Sequence, residues 1–259
     1  MTHQARKRFG QNFLQDHSII FNILAHAQPQ QEQHWVEIGP GLGALTEPLL
    51  AAGVRLDVVE LDRDLVGLLQ KRFAGSSQLQ IHSADALTFD FAALASDQQK
   101  LRIIGNLPYN ISTPLMFHLL ETANLVQDMH FMLQKEVVDR ICAEPGSKQY
   151  GRLSVMMQYF CATEWLFDVP PESFDPIPKV MSAIVKLSPH STPPVEIKDF
   201  KSFNQLVTQA FSQRRKTIRN SLRELVDAQQ MQALSIDPGL RAEDLSLEDF
   251  ARLNRHAML

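Results

Sequence analysis

The 259-residue sequence predicts an α/β protein: a seven-stranded, mostly parallel sheet whose last strand is antiparallel, followed by a small all-helical domain. Three observations lead to it. Between residues 35 and 186 short apolar runs alternate with longer amphipathic stretches, the pattern of strand–helix–strand units. The last two strand candidates are joined only by a proline-rich stretch, residues 170–179, which leaves no room for a helix and makes that pair antiparallel. Beyond the linker at 188–195 (SPHSTPPV) the periodicity is helical only.

In chain order the strand candidates are 35–38, 55–60, 79–83, 101–105, 129–133, 164–169 and 180–187. Helices are expected between them, for example over 44–52, 62–73 and 112–122. The helical part runs over 199–254, broken at Asp237-Pro238-Gly239. The expected division is therefore a first domain at 1–188, beginning with a basic arm, and a helical domain at 189–259.

Composition narrows the function classes. Hydrophobic residues at 44% and charged residues at 21% are ordinary for a globular chain and exclude wholesale disorder. No run approaches the roughly 18 apolar residues that span a bilayer. The polar, basic start (Met1-Thr2-His3-Gln4-Ala5-Arg6-Lys7-Arg8) is unlike a secretory signal. Cys142 and Cys161 form no CxxC pair and are expected as reduced thiols in a cytoplasmic protein. The nine histidines show no metal-ligand spacing, so no metal is expected, and His118 and His130 are read as packed or surface residues. A net charge of −4 is unusual for a nucleic-acid binder, but the charge is unevenly spread. Residues 1–188 carry 15 Lys+Arg against 20 Asp+Glu; residues 189–259 carry 10 against 9. Within the latter, Arg214, Arg215, Lys216, Arg219 and Arg223 follow one another with no acid between them. Screening beyond about 8–10 Å makes local density decide phosphate binding.

Four stretches carry chemistry. In Val36-Glu37-Ile38-Gly39-Pro40-Gly41-Leu42-Gly43-Ala44 a strand runs into glycines and then a helix, the arrangement that brings backbone close to a ligand. Glu60, 21 residues after Gly39, ends the second strand, where a carboxylate accepts from ribose hydroxyls. Together these indicate an adenosine-containing cofactor without choosing it; Gly39-x-Gly41-x-x-Ala44 also satisfies the dinucleotide pattern, so NAD stays open here. Asp85 follows the third strand and can accept from an adenine amino group, although an Asp there also caps helices. After the fourth strand comes Asn106-Leu107-Pro108-Tyr109. An adenine amino nitrogen is a poor nucleophile because its lone pair is delocalised. The Asn106 side-chain carbonyl and the Leu107 main-chain carbonyl can accept both N–H groups, Pro108 holds the turn, and Tyr109 offers a stacking face.

With these residues in view, the sequence resembles the small-subunit (16S) ribosomal RNA adenine N6,N6-dimethyltransferase family, the dimethyladenosine transferases. The likeness runs from Arg6 to about Asn254. It includes Arg8-Phe9-Gly10-Gln11-Asn12-Phe13-Leu14, Asn106-Leu107-Pro108-Tyr109-Asn110-Ile111-Ser112, Gln134-Lys135-Glu136-Val137-Val138, Tyr150-Gly151-Arg152-Leu153-Ser154, Phe174-Asp175-Pro176-Ile177-Pro178-Lys179-Val180 and Gln213-Arg214-Arg215-Lys216-Thr217-Ile218-Arg219-Asn220-Ser221-Leu222. The resemblance implies a Rossmann-like class I methyltransferase sheet and S-adenosyl-L-methionine as cofactor. Asn12, Leu14, Gly39, Gly41, Glu60, Asp85 and Asn106 would contact the cofactor. Asn106, Leu107, Pro108 and Tyr109 would hold the target adenine, with Phe174 as a second stacking face. Arg6, Lys7, Arg8, Arg214, Arg215, Lys216 and Arg219 would contact RNA phosphates. The implied reaction is dimethylation of two adjacent adenosines in the loop of the 3′-terminal helix of small-subunit rRNA. The chain would act as a cytoplasmic monomer on an immature 30S particle, late in assembly and away from membranes. The erythromycin-resistance methyltransferases of large-subunit rRNA share the catalytic motif, but the strings at 174–180 and 213–222 favour the small-subunit enzyme. A non-enzymatic rRNA-binding factor on this fold is disfavoured by the intact Asn106–Tyr109 motif, and an NAD oxidoreductase by the lack of hydride-site residues.

Overall fold

The computed structural model describes residues 11–96, 99–213 and 215–258, which divide into two compact units. The first takes the residues up to Val138 and Glu164–Pro189; the second takes Asp139–Thr163 and the residues from His190 on. No helix among the described residues is long and apolar enough to cross a membrane.

In chain order the elements are β1 (Phe13–Leu14), α1 (His17–Ala27), β2 (His34–Ile38), α2 (Thr46–Ala51), β3 (Arg55–Glu60), α3 (Arg63–Arg72), β4 (Leu79–Ser83), β5 (Leu101–Asn106), α4 (Ser112–Leu120), β6 (Val126–Gln134), α5 (Lys135–Ile141), α6 (Arg152–Phe160), β7 (Cys161–Val169), β8 (Phe174–Asp175) and β9 (Ser182–Pro189). The helical part adds α7 (Phe200–Phe211), α8 (Ile218–Ser221), α9 (Ala228–Ala233) and α10 (Leu247–His256).

The seven-stranded sheet has the order β4-β3-β2-β5-β6-β9-β7. Pairing is parallel from β4 through β6, and β9 lies antiparallel on β6 with Gln134 opposite Ser182. The chain builds outward from β2 to β4 and then returns to the other side of β2 with β5. Strand order therefore reverses between β2 and β5, and such a reversal opens a crevice beyond the carboxyl ends of the strands. Covering by helices on both faces explains why β2 is buried along its whole length. α1 starts at Asp16, whose carboxylate accepts from the backbone N–H of Ser18 at 2.9 Å, and it turns Ile19, Ile23 and Ala27 inward. Its far end is fixed by Arg102, which donates to Ala27 O at 2.7 Å and pairs bidentately with Asp128 at 2.8 and 2.7 Å. The same guanidinium lies 4.2 Å from the Trp35 ring centroid.

The second unit is held by aromatic contacts: Tyr159 meets Phe203 at 5.3 Å, Phe160 meets Phe200 at 5.2 Å and Phe211 meets Phe250 at 5.7 Å. Fully buried Asn254 joins α10 to the start of α7, donating to Ser202 Oγ at 2.9 Å and accepting from Lys198 N at 2.8 Å.

The structure corrects three expectations. The helical unit also takes in 139–163, which the boundary at 188/189 had assigned to the sheet, because the rings of Tyr159 and Phe160 pack on α7. β1 and β8 form an unforeseen two-residue antiparallel ladder, with Phe13 opposite Asp175 and Leu14 opposite Phe174. Two-residue strands have no periodicity to detect. Finally, 199–254 is not evenly helical: α7 ends at Phe211, and Ser212, Gln213 and Arg215 lie in turns before the short α8.

Candidate active site

A cavity of about 360 Å³ opens at the β2/β5 reversal, within the range of small-molecule sites. Parallel pairing brings the ends of four strands to its wall: Gly39 after β2, Glu60 closing β3, Asp85 after β4 and Asn106 closing β5. The loop after β2 needs its glycines, since Gly39 and Gly41 have φ of +67° and +57°. A Cβ on Gly41 would also stand 3.0 Å from the Phe13 ring. Gly105 is required for another reason: a Cβ there would lie 2.6 Å from Ile38 O, wedging β5 from β2 at the reversal.

Glu60 is 7% exposed. Its carboxylate accepts from Asp62 N at 2.8 Å and from Gly41 N at 3.4 Å, which ties the glycine loop to the start of α3. Burial raises its pKa despite those bonds. Asp85 is exposed; its Oδ1 accepts from Leu87 N at 2.9 Å within the turn at 86–88, so it caps no helix there, and the bond uses only one of the two oxygens.

At the end of β5 the Asn106 amide donates through Nδ2 to the backbone carbonyl of Asn12 at 2.9 Å. That bond fixes the orientation of the amide and leaves Oδ1 as the outward acceptor. Among the described residues neither Asn106 Oδ1 nor the Leu107 carbonyl accepts a hydrogen bond. The turn that follows closes with Ile111 N donating to Pro108 O at 3.1 Å, and it leads into α4. Tyr109 is half-buried, with its hydroxyl 2.8 Å from Ser182 Oγ at the head of β9, and burial raises its pKa.

Asn12, Leu14, Gly39, Gly41, Glu60, Asp85, Asn106, Leu107, Pro108 and Tyr109 all line one cavity. Phe174 does not join them. It is 3% exposed and packs in the core with Leu14 and Ile19, because its pairing with β1 draws the ring inward. The aromatic residues of the cavity wall are Phe13 and Tyr109, so Phe174 is not placed as the second stacking face expected from the sequence. Arg215, Lys216 and Arg219 are exposed in the second unit, whereas Arg6, Lys7, Arg8 and Arg214 lie outside the described residues.

Glu37 is a lining residue given no role from the sequence; the signal was an acid inside an apolar strand. It is 2% exposed and accepts from Thr46 Oγ1 at 2.5 Å. Burial pushes its carboxyl up to about 8, with nearby Glu60 adding to the effect. The folded state therefore keeps this proton to about pH 8, whereas the unfolded chain releases it near the ordinary value of 4.5. The stability this proton supplies is complete below the ordinary value and is lost as pH rises through about 8. Relative to Glu37→Gln, the wild type should weaken over that interval by up to ~1.4 kcal/mol per pH unit. Urea unfolding of both proteins at several pH values checks this; parallel pH profiles would refute it.

Strand order, glycine cavity and the acids at successive strand ends define a methyltransferase of the class I fold. A family profile described as "Ribosomal RNA adenine dimethylase" matches residues 2–257. The chain belongs to that family. It is similar to the ribosomal RNA small subunit methyltransferase A of Marinomonas sp. (strain MWYL1), 54% identical over 99% of this chain and 96% of the relative. The Pseudomonas aeruginosa protein of the same name is 55% identical over 97% of this chain and 94% of that one. Among solved structures, a dimethyladenosine transferase from Plasmodium falciparum superposes with a TM-score of 0.79 at 26% identity, covering 93% of this chain and 95% of that chain. The 23S rRNA methyltransferase ErmE shares the fold, with a TM-score of 0.74 at 24% identity over 95% of this chain and 99% of that chain.

Proposed function

We propose that this enzyme transfers methyl groups from S-adenosyl-L-methionine to the N6 amino groups of two adjacent adenosines in the 3′-terminal helix loop of small-subunit (16S) rRNA. It would act as a cytoplasmic monomer on the immature 30S particle. The observation that carries the reading is the Asn106 amide, engaged through Nδ2 by the Asn12 carbonyl so that Oδ1 is left as the acceptor, in a cavity that Leu107 also lines. The relatives' names, which specify the small subunit, support the substrate.

The cavity suits an adenosine-based cofactor: its glycine loop leaves no side chain in the way, and carboxylates stand at two successive strand ends. Glu60 would accept from the ribose hydroxyls, Asp85 from the adenine amino group, and Asn12, Leu14, Gly39 and Gly41 would line the remainder. When bound, the cofactor supplies an electrophilic methyl group on a sulfonium. The protein's own work is positional and electrostatic. Asn106 Oδ1 and the Leu107 carbonyl accept the two N–H groups of the target amine and draw its nitrogen toward tetrahedral geometry. Tyr109, braced by Ser182, holds the base by its face. RNA phosphates would be met elsewhere, by Arg215, Lys216 and Arg219 together with Arg6, Lys7, Arg8 and Arg214.

Labelled-methyl transfer to undermethylated small and large subunits, assayed separately, tests the substrate. Label in the large subunit alone would refute the proposal. For the cofactor, Glu60→Ala should weaken S-adenosylmethionine binding by roughly 1.5–3 kcal/mol, the worth of hydrogen bonds to a charged group. An unchanged calorimetric dissociation constant would remove Glu60 from the site.

A further inference from the structure

Residues 11–14 all line the cavity, and each meets a different part of its surroundings. Gln11 donates through Nε2 to Asp62 Oδ2 at 3.1 Å, at the start of α3. The Asn12 carbonyl accepts from Asn106 Nδ2. The Phe13 ring lies against Gly41, in the space a Cβ there would fill. Leu14 is buried in the core, opposite Phe174. Asp62 is itself only 1% exposed, and its backbone N–H is the strong donor to Glu60 Oε1. The Gln11 amide thus fastens this strap to the same small network that holds Glu60 and, through Glu60, the Gly41 backbone.

We propose that Gln11 is a positioning residue for both halves of the reaction: its bond to Asp62 holds the 11–14 strap along the cofactor cavity and thereby keeps the Asn12 carbonyl where it orients the Asn106 amide. The inference rests on the reading of this cavity as the S-adenosylmethionine site. Its physical basis is that an asparagine amide has two nearly isosteric orientations. Only a local hydrogen bond decides which end faces the substrate. With the strap held, Nδ2 is engaged and Oδ1 faces outward. With the strap released, Asn106 loses the acceptor that distinguishes the two, and the flipped amide presents a donor to the target amine. Strap and base-polarising group are therefore coupled through one main-chain oxygen, although they serve different ligands.

Gln11→Ala should raise the dissociation constant for S-adenosylhomocysteine about tenfold by calorimetry. It should also lower the single-turnover rate at saturating S-adenosylmethionine several-fold, with the thermal midpoint of the unliganded protein unchanged. A cycle with Asn106→Ala isolates the coupling. In the Asn106→Ala background, Gln11→Ala should still weaken S-adenosylhomocysteine binding but should cost no further saturated rate. Gln11→Glu, which sets a second carboxylate against Asp62, should weaken binding at least as much as the alanine variant. Binding and saturated rate both within twofold of wild type for Gln11→Ala would overturn the proposal, as would rate reductions that simply multiply in the double variant. If the wild type itself fails to bind S-adenosylhomocysteine, the assignment of the cavity falls and this inference falls with it. That outcome is distinct from a wild type that binds and a Gln11 variant that binds equally well.

Discussion

Asn106→Ala is expected to reduce single-turnover methylation by about 10²–10³, the usual cost of removing one preorganised polar group from a reacting centre. Folding and binding of rRNA particles should stay close to wild type. The residue ends β5 half-exposed, and its side chain is tied to the protein through Asn12 O, so truncation leaves no buried charge behind. RNA affinity, in the proposed division of labour, comes from phosphate contacts that Asn106 does not make. The large drop is expected because two acceptors are needed to tetrahedralise the amine; the Leu107 carbonyl alone engages one N–H and leaves the lone pair conjugated with the ring. Asn106→Asp is the informative companion. It keeps an acceptor but cannot donate to Asn12 O, and it sets a negative charge against that carbonyl. Quench-flow methylation at saturating cofactor, with far-UV circular dichroism and particle binding as controls, makes the measurement. A rate within a few-fold of wild type would show that Asn106 does not polarise the nucleophile.

The parts of this molecule that the sequence made legible are those with a period or a spacing. Each of the seven main strands was foreseen within a few residues, because buried parallel strands and amphipathic helices leave different periodicities. The cavity residues were found because glycine, Glu60, Asp85 and Asn106 fall at consecutive strand ends, and a parallel sheet must bring those ends together. What escaped had no local signature. The β1–β8 ladder joins residues some 160 positions apart through two pairs only, and together with the bonds of Ser173 to Gln15 N and Asp16 it seats Phe174 in the core. The contribution of α6 to the helical unit depends on aromatic contacts between distant segments. The Asn12–Asn106 bond spans 94 positions and involves a main-chain atom, on which sequence carries no mark. Glu37 was hidden by its position: an acid inside a glycine-loop strand reads as part of the motif, and only its burial shows it to be a protonated carboxyl.

Replacing Arg215, Lys216 and Arg219 with glutamine should lower the slope of log affinity against log salt by about 2–3, at roughly 0.7–0.9 for each phosphate no longer neutralised. If affinity extrapolated to 1 M salt is unchanged, that slope difference corresponds to particle binding weaker by about 10²–10³ near 0.1 M salt. The expectation runs against the whole-chain charge of −4, which alone would predict repulsion from RNA. What decides is local density. The three side chains are exposed, they lie within five consecutive positions where the chain turns from α7 into α8, and no acid interrupts the run from Gln213 to Arg223. Arg223 is left in place because it already lies 3.6 Å from Glu224 Oε1. Since a turn and a four-residue helix present the cluster, its charges need not spread around a long helical surface, so several can follow one backbone. S-adenosylhomocysteine binding should be unaffected, because every residue lining the glycine cavity belongs to the other unit. Particle binding at several salt concentrations, for wild type and the triple variant, gives the two slopes. Identical slopes would make this cluster a solvated face and move the search for phosphate contacts to Arg6-Lys7-Arg8 or to the basic residues between Lys135 and Arg152.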